Sequence, residues 1–163
     1  MKTIMNITEL INKNTIKIDC KFKNKDEGIS DLANILYQSA IINSTDGFIA
    51  AVKKRETQTT TAVGFGIAIP HARSEFVLKP GIAIGRSEPF LWDGENKQEV
   101  NLIFLLAVPE QIEYPEYMKM LASISRMLVH QRFRNALLAA NTVDEFIKEI
   151  SDGERFLVNG DSK

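Results

Sequence analysis

Residues 102–108, Leu-Ile-Phe-Leu-Leu-Ala-Val, form the longest uninterrupted apolar run of the chain. The run is far too short to span a bilayer as a helix, which takes about twenty apolar residues. Together with Val100 before it and Pro109 after it, the segment reads as a central strand covered on both faces. A strand of that kind requires a layered fold, because a sheet with one solvated face cannot hide it.

The segments around it supply the layers. Ile16, Ile18, Cys20 and Phe22 alternate with Lys17, Asp19, Lys21 and Lys23, the period of a half-buried strand, with Cys20 on its apolar side as a core cysteine. Three further strand-like pieces cover 66–69, 81–85 and 89–92. From Lys25 onward Ile29, Leu32, Ile35, Leu36 and Ala40 mark a helix face, and the run from Asn43 to Gly47 breaks it. A short helix follows with Phe48, Ile49 and Val52 inward and Arg55 at its end. After Pro109 the period changes to helical. Met118, Leu121, Ser125 and Leu128, with Ile124 alongside, mark one helix, and Phe133, Leu137 and Leu138 another. Thr142 and Glu145 form a capping box ahead of Phe146, Ile147 and Ile150. Residues 151–163 are expected to be a flexible tail. The expectation is a single α/β domain over 1–163, a mixed β-sheet covered by helices.

Composition narrows the function. Hydrophobic residues make up 44% and charged residues 25%, with 20 basic against 21 acidic side chains. A net charge of -1 without a long basic run argues against a nucleic-acid partner. One cysteine rules out an internal disulfide framework, and the first residues lack the apolar core of a signal peptide, which together favour the cytoplasm. Two distant histidines and one cysteine give no metal-ligand spacing, and neither a metal nor a cofactor is expected.

The chemistry concentrates at Gly64-Phe65-Gly66-Ile67-Ala68-Ile69-Pro70-His71. The short run Ile67-Ala68-Ile69 reads as a strand that Pro70 stops, which leaves His71 at the strand end in a loop. A neutral imidazole is a nucleophile near physiological pH. A lone histidine is structural more often than catalytic, and His130, near a helix end, reads as structural or surface. Arg55 has two readings from its position: an anion ligand, or a solvated charge offsetting a helix dipole.

Arg55-Glu56, Thr59, Thr61, Gly64 and Ile67-Ala68-Ile69-Pro70-His71, followed by 89–93 and 100–109, resemble the signature of the type-2 IIA (EIIA) domains of the sugar phosphotransferase system. This is the mannitol and fructose class, with its nitrogen-regulatory relatives. The resemblance runs from about 16 to 150 and implies the mannitol-specific IIA-like fold. It also implies a phosphoryl relay: His71 takes the phosphoryl group from an HPr-like phosphocarrier protein and hands it to a IIB component that serves a membrane IIC permease. Arg55 takes the family's arginine position and stabilises the phosphoryl group. Thr61 and Gly64 fall on motif positions lining the loop. The alternative within the resemblance is a regulatory IIA protein whose phosphohistidine controls partner binding.

The chain departs from many relatives at Tyr117, which stands where they carry a second histidine. A phenol donates a hydrogen bond to phosphate yet stays neutral at pH 7. Two readings stand side by side, a phosphate-binding tyrosine and a partly buried helix residue. Because two partners must reach one imidazole, an apolar docking patch is expected around the loop, with Phe65 and Phe76 as contributors or, alternatively, as core residues.

Overall fold

The computed structural model describes residues 6–93 and 97–160, with the backbone alone at 158–160. Two compact units emerge, Asn14–Gln111 and the combination of Met1–Lys13 with Ile112–Lys163.

The first unit holds a mixed sheet. Its strands are β1 (Ile16–Cys20), β2 (Ala62–Gly64), β3 (Ile67–Ala68), β4 (His71–Ser74), β5 (Gly81–Asp93) and β6 (Gln98–Pro109). The order is β1-β5-β6-β3-β2, with β4 also paired to β6. Strand β6 runs antiparallel to β5 and parallel to both β3 and β4. All residues from Leu102 to Pro109 are buried, so both faces of this central strand are covered, as its composition requires. The pieces expected at 81–85 and 89–92 are one long strand. A register shift between Arg86 and Phe90 lets it pass Pro89, whose ring removes a ladder donor.

Helix α1 (Lys25–Gln38) starts at Asn24, whose side chain accepts from the Glu27 N–H at 2.8 Å. Helix α2 (Thr45–Glu56) starts at Ser44, which accepts from the Gly47 N–H at 3.1 Å. The expected break at 43–47 is therefore this cap plus the first helical turn. Gly47 lies inside the helix because the Phe76 ring occupies the space of a side chain: a Cβ there would lie 2.4 Å from the ring. Phe22, Ile29, Leu32, Leu36, Phe48 and Val52 join Ile103, Leu105 and Ala107 of β6 in the hydrophobic core of this unit.

The second unit is helical, with α3 (Tyr114–Leu128), α4 (Gln131–Ala139) and α5 (Val143–Gly160). The buried face of α3 is Tyr117, Met120, Ile124, Met127 and Leu128, which shares Ile124 and Leu128 with the stripe read in the sequence but leaves out Met118, Leu121 and Ser125. Apolar residues lie on either side of the shared positions in this segment, and packing selects Tyr117, Met120 and Met127. In α4, Phe133 and Leu137 are buried while Leu138 is exposed. Thr142 Oγ1 accepts from the Glu145 N–H at 3.1 Å, and the Glu145 carboxylate reaches back to the Asn141 N–H at 2.7 Å, so the capping box closes one residue early.

The tail expected over 151–163 is instead helical as far as Gly160. Glu154 explains the difference: its carboxylate accepts from the Ile7 N–H, the Thr8 N–H and the Thr8 hydroxyl, capping the short 3-10 turn Ile7–Leu10. These partners lie far away in sequence, so local pattern does not reveal them. Residues 161–163 lie outside the described residues. Among the described residues no helix is long and apolar enough to cross a membrane.

Candidate functional site

His71 does not sit in a loop after a terminated strand. It opens β4, opposite Leu106 of β6, and the Leu106 N–H donates to the Pro70 carbonyl at 3.0 Å. Pro70 therefore separates two short strands, β3 and β4, that both run along β6. A proline tolerates this because its carbonyl still joins the ladder although its nitrogen cannot.

The imidazole is 6% exposed. Its Nδ1 lies 2.7 Å from the Ile69 carbonyl oxygen. A carbonyl can only accept, so Nδ1 carries the proton and Nε2 is the unprotonated nitrogen of the neutral ring. Burial pulls the His71 pKa below its ordinary 6.5. The bond to Ile69 opposes this, the Arg55 guanidinium pushes further down, and the Glu56 carboxylate pushes up. The result favours a neutral, nucleophilic ring at pH 7.

Arg55 and Glu56 end α2. Arg55 is half-buried, and its Nη1 donates to the Thr59 carbonyl at 3.0 Å, which fixes the guanidinium against the following loop. The solvated helix-end charge is thus only part of its situation, since its field is felt at His71. Glu56 pairs with Lys25 at 3.9 Å and with Thr61. Thr61 is 3% exposed, and its hydroxyl donates to Glu56.

Gly64, Phe65 and Gly66 form the β2–β3 turn with φ of +94°, +61° and +79°. Three successive left-handed residues explain both glycines, and Phe65 holds a conformation that L-residues seldom adopt. A Cβ on Gly66 would lie 2.7 Å from the Asn101 Oδ1, whereas the space beside Gly64 is open. Phe65 is 65% exposed, while Phe76 is half-buried against Gly47. Arg73 is exposed and donates to the Glu110 carbonyl at 3.1 Å.

Tyr117 belongs to the helical unit, where it is 6% exposed and packs edge-to-face on Tyr114 with ring centroids 5.9 Å apart. His130 occupies the N-cap position of α4 without a side-chain capping bond, its ring edge-on to Phe133 and Phe156. The last carbonyls of α3, at Leu128 and Val129, are taken by Arg134. The sequence reading set His71 and Arg55 at one site, and the Arg55 charge is felt at His71, but it passed over Lys25 as a partner of Glu56. A lysine at the start of a helix, 31 positions upstream, carries no local sign of that pairing.

The chain matches the family model described as "Phosphoenolpyruvate-dependent sugar phosphotransferase system, EIIA 2" over residues 9–153. It is 32% identical over 152 residues to the fructose-specific EIIABC component of Bacillus subtilis, covering 93% of this chain but 24% of that protein. It is 32% identical over 130 residues to the fructose-specific EIIA component of Haloferax volcanii, covering 77% of this chain and 84% of the relative. Among solved structures, the nitrogen regulatory protein IIA-Ntr of Neisseria meningitidis superposes with a TM-score of 0.80 at 25% identity, covering 88% of this chain and 98% of that one. The mixed sheet with its helices is therefore the IIA fold, and the chain belongs to the EIIA type-2 family of the phosphoenolpyruvate-dependent sugar phosphotransferase system.

Proposed function

We propose that this protein is a cytoplasmic phosphoryl relay that takes a phosphoryl group from an HPr-like phosphocarrier onto His71 and passes it to a IIB component serving a IIC permease. The observation that carries the site assignment is the hydrogen bond from Nδ1 to the Ile69 carbonyl, which leaves Nε2 as the nucleophile. The Nε2 lone pair attacks phosphorus, the phosphorus–nitrogen bond of the carrier's phosphohistidine breaks, and its electron pair returns to the carrier's imidazole. No proton need leave His71, because Nε2 is already unprotonated. Passing the group on reverses the roles: a nucleophile of the IIB component attacks, and the electron pair returns to Nε2. Transfer of this kind runs through a loose transition state, so positioning and charge stabilisation carry most of the catalysis. Arg55, fixed through Thr59, supplies a planar cation for the phosphoryl oxygens. The family match runs through both compact units, which supports reading them as parts of one EIIA module.

A second reading rests on the likeness to IIA-Ntr: a regulator that uses the same phosphohistidine to select partners. One experiment addresses the shared chemistry. The protein is incubated with phosphoenolpyruvate, the first enzyme of the system and the phosphocarrier, and its intact mass is measured. A gain of one phosphoryl group, dependent on the carrier and absent in His71→Gln, is expected. Persistence of the label in that variant, or its location on His130, overturns the assignment. Subsequent transfer to a IIB protein then separates relay from regulation.

A further inference from the structure

Glu56 is the buried charge that the proposed transfer leaves unused. Its side chain is 5% exposed, and a carboxylate so placed is costly unless paired and hydrogen-bonded. Its partners are specific. Oε1 accepts the Thr61 hydroxyl proton, Oε2 accepts from the Thr61 N–H at 3.4 Å, and Lys25 Nζ stands 3.9 Å from Oε2. Thr61 is itself buried, so both its side chain and its amide are committed to Glu56 rather than to a ligand.

The connection continues inward. The Thr61 carbonyl accepts from the Ile69 N–H at 2.9 Å, and the Ile69 carbonyl accepts from His71 Nδ1 at 2.7 Å. An unbroken sequence of polar contacts thus links the Lys25 ammonium, the Glu56 carboxylate, Thr61, Ile69 and the His71 imidazole. From these contacts we infer that Lys25, Glu56 and Thr61 form a positioning network that holds the Ile69 carbonyl, and through it the orientation and tautomer of His71. The inference rests on His71 being the nucleophile only for its effect on rate. The claim about orientation and tautomer is independent of that reading.

Electrostatics agrees with the geometry. Arg55 and Glu56 are the charged α2 residues felt at His71, and they act in opposite senses. Adjacent placement lets one helix end offer a cation for phosphate while a carboxylate keeps that cation from stripping the imidazole of basicity.

The test compares Thr61→Val, Thr61→Ser, Glu56→Ala and Glu56→Gln with the wild type. The readouts are the 15N shifts of His71 in the unphosphorylated protein and single-turnover transfer from phosphorylated carrier. Valine keeps the branched shape but loses the hydroxyl, whereas serine keeps the hydroxyl. The wild type should show a protonated Nδ1 and an unprotonated Nε2. In Thr61→Val and Glu56→Ala the two nitrogen shifts should move toward each other, and transfer should slow by about tenfold or more, inside the hundredfold range of small mispositioning. Thr61→Ser should restore both. Glu56→Gln should keep the tautomer but lower the His71 pKa. His71 nitrogen shifts that stay unchanged in both Thr61→Val and Glu56→Ala overturn the proposal, whatever the rates do. A wild type that accepts no phosphoryl group on His71 refutes the relay reading instead, and the nitrogen shifts still decide the network.

Discussion

At the scale of single residues, His71 carries two linked consequences. Its native pKa lies below the ordinary 6.5, so in the window beneath that value the unfolded chain binds more protons than the folded one. The neutral ring's contribution to stability is complete above 6.5 and is lost as the pH falls through the depressed native value. Denaturant titrations from about pH 7 to about pH 5 should therefore show wild type losing stability relative to His71→Gln. A gap that stays constant across that range would contradict the buried neutral ring. Arg55 contributes to the same shift, so Arg55→Met should raise the His71 pKa toward 6.5, measured by NMR titration. For transfer itself, Arg55→Lys keeps the charge but loses the planar fork, and a barrier increase of about 2–4 kcal/mol is expected in single-turnover kinetics with carrier affinity preserved. Unchanged transfer would return Arg55 to the role of a helix-end charge.

At the scale of elements, the β2–β3 turn concentrates backbone strain beside the site. Replacing Gly64 or Gly66 with alanine forces a left-handed residue, at about 1–2 kcal/mol. Gly66→Ala adds a collision with Asn101, while Gly64→Ala meets open space. Gly66→Ala should thus be the more destabilising by about 1 kcal/mol or more. The single tryptophan, Trp92, is 3% exposed in the same unit and provides the fluorescence signal for urea titrations. Equal losses for the two variants would contradict the role given to Asn101. In the helical unit, Thr142→Ala removes the cap of α5 and should cost about 1 kcal/mol.

At the scale of the whole molecule, the proposed relay has carrier and IIB protein reach one imidazole in turn, which makes each complex transient. Exposed Phe65, held in a strained conformation at the tip of the turn, fits such a contact better than Phe76, which is seated on Gly47. Exposed Arg73 would steer acidic partner groups and raise the on-rate more than the affinity. NMR titrations with unlabelled carrier and then IIB protein should shift resonances centred on 64–76 in both cases, with mutual competition. Separate footprints or simultaneous binding would refute the shared surface.

The sequence by itself determined the layered α/β class, the central strand 102–108, the helix from Lys25 onward, the helix start at Thr142, and the family to which the ordered residues around His71 belong. Each is written in local pattern or in motif spacing, because burial on two faces, capping and a family's ordered residues all leave their mark within a few positions. Tertiary structure alone decided that His71 opens a strand beside Leu106, that 81–93 is one bulged strand, and that 151–160 is helical through Glu154. It also decided which face of α3 is buried, and that Glu56 answers to Lys25 and Thr61. These features depend on hydrogen bonds and close packing between residues distant along the chain, and such contacts impose no periodicity on the sequence that makes them.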